Sequence, residues 1–201
     1  MPNWEDSLPP RMRERLAAAG DFTAEEKARM KAAGELSNLL SAFYKGDLDA
    51  DGLWKRLKAL KDEGKAPLLK EAQLQLIDSL TMHSTPAELQ KRKTGLVAIE
   101  TIKGQSGVAA LEQTLGMIDA LQAKYKKELQ QGYDYLKSEI ERNPQLRMRK
   151  VKQGGQQVVV QLTVDEAVKT SQEWQNFNSE HEKRFGGEFT RIIERLKKQV
   201  K

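Results

Sequence analysis

Residues 147–164 read RMRKVKQGGQQVVVQLTV, and this stretch decides the architecture of everything around it. Gly154-Gly155 separates two strand-like runs, and paired glycines supply the positive φ of a two-residue hairpin turn without a Cβ clash. Strands are expected over 147–153 and 156–164, with Gln153 opposite Gln156. Side chains alternate along a strand, so this register puts Arg147, Arg149, Val151, Val158, Val160 and Leu162 on one face. Met148, Lys150, Lys152, Gln157, Val159 and Gln161 fall on the other. The outgoing strand is cationic and the returning strand apolar.

Both flanks of this hairpin read as long helices. Asn143-Pro144 closes a proline-free segment that begins after Pro86. Within it Leu111, Leu115, Ile118, Leu121, Tyr125, Leu129, Gly132, Leu136 and Ile140 recur at steps of three and four, the seam of a helix packed lengthwise on another. The weak point is Gly104-Gln-Ser-Gly107, where each glycine costs about 1 kcal/mol relative to Ala, and a kink or a break is expected there. After the hairpin, Thr163 and Glu166 form a capping box. Val164, Val168, Ser171, Trp174, Asn178, His181, Phe185, Phe189, Ile192 and Leu196 then continue one stripe through Gly186-Gly187 to the C-terminus.

Upstream, residues 1–84 read as a module of about four helices. The first is expected over 7–19, with Pro9 and Pro10 in its opening turn. Thr23 and Glu26 cap the second, which carries Met30, Ala33, Leu36, Leu40 and Phe43 and stops near Gly46. A third spans 52–63 and a fourth follows Pro67. Thr85-Pro86 with Glu88 restarts the chain as helix. The fold class is therefore mostly α: an N-terminal helical module over 1–84, then a long antiparallel, coiled-coil-like helical hairpin over 85–201 with a β-hairpin at its tip.

Composition excludes several chemistries. The 201 residues contain no cysteine and two histidines, so disulfide frameworks, thiolate zinc sites and thiol nucleophiles are ruled out. No run of 18 apolar residues occurs, and the first thirty residues lack the apolar core of a signal peptide. A soluble, unprocessed, cytoplasmic chain with no membrane association is expected. Charged residues make up 31% of the chain, typical of solvated helix faces.

The motifs with chemical content are partial. Asp47, Asp49, Asp51 and Gly52 match the opening of a calcium-binding EF-hand loop, but Lys55 and Lys58 stand where the later ligands belong. These aspartates are expected to form a turn and cap the helix that follows. Gly104-Gln105-Ser106-Gly107 is similar to the G-x-x-G loop of KH domains, yet no strand candidates flank it, and a helix kink is the better reading. Two-carboxylate metal bundles need E-x-x-H, whereas Asn178 precedes His181 and Leu80 precedes His83 at that spacing. His181 reads as a packed helix histidine and His83 as part of an inter-helix turn with a capping role. No catalytic residue, metal or cofactor is expected, and the chain is read as a non-enzyme.

Charge is distributed unevenly. The chain is +5 overall, and residues 144–163 hold four Lys/Arg and no acid. Arg147, Arg149, Lys150 and Lys152 are thus the candidate contact residues, for phosphate or for an acidic protein surface. Strand cations also block edge aggregation, which is the plain structural reading. The expected function is a non-enzymatic protein-interaction or scaffold protein, a homo-oligomer held through its helical seams, with a protein partner. The alternative is a nucleic-acid-binding protein that contacts the phosphate backbone through the basic hairpin. The coarse plan of coiled coil plus β-hairpin also resembles prefoldin-type chaperones, which implies a third, chaperone-like role.

Overall fold

The structure is a computed structural model describing residues 23–104, 107–153 and 156–200. The helix expected over 7–19, Gln105-Ser106 and the Gly154-Gly155 turn lie outside the described residues. The chain is mostly α, as the sequence predicts: seven α-helices and one two-stranded antiparallel sheet among the described residues. Backbone packing divides it into two compact units.

The first unit comprises the described residues up to 80, together with 85–108 and Val200. Helix α1, Ala24–Lys45, starts at the expected capping box: the Thr23 hydroxyl accepts from the Glu26 amide, and the Glu26 carboxylate accepts from the Thr23 amide at 2.9 Å. It ends at Gly46, whose φ of 92° lets its N–H and that of Asp47 both reach the Ala42 carbonyl. Helix α2, Ala50–Asp62, begins two residues ahead of the expected start because Asp49 is its cap, accepting from the Gly52 amide at 2.7 Å. Helix α3 is Pro67–Asp78, and α4, Pro86–Lys103, opens on the Thr85–Glu88 capping box. α4 packs on α2 and α3. The core is the apolar stripe of each helix, with Leu36, Phe43, Leu53, Leu57, Leu76, Ile77, Leu96 and Ile99 all buried.

A polar triad sits within that core. Buried Gln73 donates to Glu100 at 2.7 Å, and Lys103 donates to both, at 3.0 and 3.1 Å. Burying a carboxylate is costly unless it is paired and hydrogen-bonded, and here it is both. Lys61 donates to the Ile102 carbonyl at 2.6 Å, satisfying one of the open acceptors at the end of α4. The glycine-flanked weak point is a break: α4 stops at Lys103 and the next helix starts at Val108. Packing therefore draws α4 into the first unit, whereas the sequence places the junction at 84/85.

The second unit comprises 81–84 and 109–199. Its elements are α5 (Val108–Arg142), a 3-10 turn (Pro144–Arg147), β1 (Met148–Gln153), β2 (Gln156–Gln161), α6 (Val164–Thr170) and α7 (Gln172–Gln199). α5 and α7 run antiparallel, as expected. Thr114 faces Gln199, Glu128 faces Arg184, and Tyr133 faces Trp174. Leu111, Leu115, Ile118, Leu121 and Tyr125 on α5, and Phe185, Ile192 and Leu196 on α7, are buried. Buried Gln122 donates to the Met82 and Ser84 carbonyls, tying the 81–84 turn to α5.

Two sequence expectations need correction here. The stripe from Val164 to Leu196 is not one helix, because Ser171 is extended, with ψ of 147°. Its hydroxyl donates to the Val168 carbonyl and accepts from the Trp174 amide, so it ends α6 and starts α7. The strands are also shorter than 147–153 and 156–164. Arg147 belongs to the 3-10 turn, and β2 ends at Gln161 because Thr163 is already the cap of α6. Gly186-Gly187, by contrast, lies inside an unbroken α7.

Candidate functional site

The β-hairpin has the predicted register, with Gln153 opposite Gln156 and Arg149 opposite Val160. At its base the Leu162 amide donates to the Arg147 carbonyl at 2.9 Å, which makes 147/162 a hydrogen-bonded pair. Antiparallel ladders alternate bonded and non-bonded pairs. Hence Arg149/Val160 and Val151/Val158 exchange bonds within the hairpin. Met148, Lys150 and Lys152 on β1, and Gln157, Val159 and Gln161 on β2, turn their N–H and C=O groups outward.

The base is anchored. Ile140, Ala167 and Val168 form a small core covered by Tyr133, Leu136, Leu162, Val164 and Trp174. Arg147 Nε donates to the Leu162 carbonyl at 2.8 Å, and Arg149 donates to the Thr170 carbonyl at the end of α6. The Tyr133 hydroxyl donates to Asp165 at 2.8 Å, which, with Lys137 beside it, holds the Asp165 carboxyl below its ordinary range.

Beyond that base no described element covers the hairpin. Val158, Val159 and Val160 are 40%, 52% and 40% exposed, Met148 and Val151 lie open on the paired strand, and Leu146 is exposed in the turn before it. Elsewhere the exposed large apolar side chains among the described residues stand singly, as Tyr44, Met117 and Tyr135 do. Of the four cations read from the sequence, all share one short segment, but two are tied to backbone carbonyls. Lys150 and Lys152 have no hydrogen bond or ion pair among the described residues. The valines are candidate residues that a charge count passes over. Their signal is an uncharged β-branched run facing one partner strand, which leaves an edge without a partner strand among the described residues.

A second cluster lies between α5 and α7. His181 is 3% exposed and enclosed by Tyr125, Phe177 and Phe185, with ring centroids 4.6, 5.5 and 4.5 Å away. Among the described residues neither ring nitrogen has a hydrogen-bond partner, and the Glu128 carboxylate stands 4.0 Å off and is engaged by Arg184. Burial first, then the Arg184 charge, pushes the imidazole below its ordinary pKa. The Tyr125 hydroxyl donates to Glu182 and is pushed up to about 12, chiefly by burial. His83 is exposed and faces Glu182 at 3.5 Å, rather than serving as the cap expected of it.

The aspartates of the EF-hand-like opening serve as turn and cap: Asp49 caps α2, and Asp51 pairs with Lys55 at 3.1 Å. Among the described residues no group of three or more His, Asp or Glu side chains converges as a metal site. No described helix is long and apolar enough to cross a membrane. A family model described as "Family of unknown function (DUF6657)" matches residues 54–201, nearly three quarters of the chain. The chain belongs to that family. The DUF6657 span runs from Trp54 within α2 to the C-terminus and includes the hairpin and both long helices that hold it. No curated protein matches the chain, and no solved structure does.

Proposed function

We propose that this chain is a non-enzymatic interaction protein that docks an acidic, extended segment of a partner protein along the β1 edge of its hairpin. The exposed hairpin carries this reading, with solvent-open valines beside two lysines that have no partner among the described residues, on an anchored base. Apolar residues of α5 and α7, expected as association seams, are buried within the single chain, which supports the hairpin as the interaction surface instead. A strand added to β1 meets the outward amides of Met148, Lys150 and Lys152, and its main chain supplies affinity while its side chains supply choice. Carboxylates opposite Lys150 and Lys152 form favourable cross-strand pairs, each contributing about 0.2–1 kcal/mol. The absence of cysteine fits a reducing, cytoplasmic setting.

The test is fluorescence anisotropy of a labelled peptide of alternating Glu and Val, beside labelled DNA and RNA, at low and moderate salt. Wild type should bind the peptide, and Lys150→Glu with Lys152→Glu should weaken that binding by about tenfold or more. No peptide binding at low salt overturns the proposal. The second reading, phosphate-backbone binding, has the four cations and absent acids of 144–163 in its favour. Nucleic-acid binding without peptide binding, falling with salt at a log–log slope near 2 for two free lysines at about 0.9 each, gives the function to that reading instead.

A further inference from the structure

The two edges of the hairpin differ in chemistry. β1 reads MRKVKQ and carries three cations, whereas β2 reads QQVVVQ and carries no charge. Lysines on an edge strand guard it against pairing with its own kind, and β2 has no such guard. Residues 157–161 moreover read QVVVQ, which is a palindrome about Val159. Set antiparallel to a second copy of itself, this segment places Gln157 against Gln161, Val158 against Val160, and Val159 against Val159.

The backbone is in the same phase as the palindrome. Gln157, Val159 and Gln161 are the β2 residues whose N–H and C=O groups turn away from β1, as the ladder's alternation requires. We infer that β2 pairs with β2 of a second copy of this chain, forming a four-stranded sheet with its two-fold axis at Val159. In that pairing Val159 exchanges two hydrogen bonds with its counterpart, and each Gln157–Gln161 pair exchanges two more. Val151, Val158 and Val160 of both copies then line one continuous face, joining side chains that are each at least 40% exposed in the single chain.

Charge selects this edge over the other. Pairing β1 with β1 sets cations about 5 Å apart, whereas pairing β2 with β2 separates the cationic strands by three strand spacings, about 14 Å. That exceeds the Debye length of about 8 Å at physiological ionic strength, so the repulsion is largely screened. The contact is isologous and closes at two chains, leaving both β1 edges outward. The inference rests on the hairpin being an interaction element but uses the edge opposite to the one proposed for the partner.

Sedimentation velocity of the full chain over a concentration series tests it. One chain mass, 22.8 kDa, should give way to twice that mass with rising concentration, and moderate salt should not reverse it. Val159→Pro removes an outward N–H without removing a bond to β1, and should weaken dimerisation by about tenfold or more. Lys150→Pro removes the equivalent donor from the other edge and should leave dimerisation unchanged. Because the chain has no cysteine, Val159→Cys provides an independent reading. Counterpart Cα atoms about 5.5 Å apart are within disulfide reach, so mild oxidation should yield a covalent dimer that Lys150→Cys does not.

A chain that stays monomeric at every concentration, or a dimer indifferent to Val159→Pro with no excess cross-linking at position 159, overturns the inference. Peptide binding measured on the same samples separates the two proposals. Binding by a monomeric chain overturns only the self-pairing, and loss of both overturns the hairpin as an interaction element.

Discussion

His181 brings two ring nitrogens into an aromatic enclosure in which neither finds a partner among the described residues. The charged and titratable groups around it are Glu128 and Lys124 with Tyr125 on α5, Glu182 and Arg184 on α7, and His83 in the 81–84 turn. Its folded pKa lies below the ordinary 6.5, so below that pH the unfolded chain binds more protons than the folded one. The stability it contributes is complete above pH 6.5 and is lost as pH falls through the folded value, at up to about 1.4 kcal/mol per pH unit. His181→Phe keeps the ring packing and removes the titration. Urea unfolding at pH 7.5 and 5.5 should show a loss in wild type that is absent in the variant; equal losses would contradict this account. Three-and-four spacing places His181 on a buried face. What its nitrogens meet depends on side chains from another helix, which spacing does not contain.

At the scale of the element, two glycines of α5 have opposite meanings. A Cβ at Gly132 would lie 2.5 Å from the Phe177 ring, whereas one at Gly116 would meet nothing within 4 Å. Gly132→Ala should cost about 1–3 kcal/mol through forced repacking. Gly116→Ala should add about 0.5–1 kcal/mol by removing chain entropy from the unfolded state. Thermal unfolding of the two variants should move in opposite directions, and two shifts of one sign would show that α5 and α7 are not in the register described. The helix starts at Thr23, Thr85 and Thr163 are legible in the sequence because a capping box is a local pattern, complete within four residues. The hairpin register is legible for a similar reason, since a two-residue loop fixes every pair that follows. The break at Ser171 is not legible, because the apolar stripe keeps its phase across it and only a hydroxyl's choice of partner interrupts the helix.

For the molecule as a whole, charge counting locates the hairpin but not which of its side chains stand free. Arg149 is withdrawn by a carbonyl 21 residues along the chain, a contact made only once α6 is folded against the strand. The valines are legible as a strand, while their exposure depends on no described element covering them. The allotment of α4 to the first unit likewise depends on its packing against α3 and against α2, the latter beginning more than thirty residues earlier. Among the described residues the anchored hairpin has two open edges, one cationic and one uncharged, and the proposed function stands on that pair. Amide hydrogen exchange of the full chain reads both edges at once. Exchange should slow at Met148, Lys150 and Lys152 when the Glu/Val peptide is added, and at Gln157, Val159 and Gln161 as protein concentration rises. Hairpin amides that respond to neither, while protection appears elsewhere in the chain, would contradict the hairpin as an interaction element.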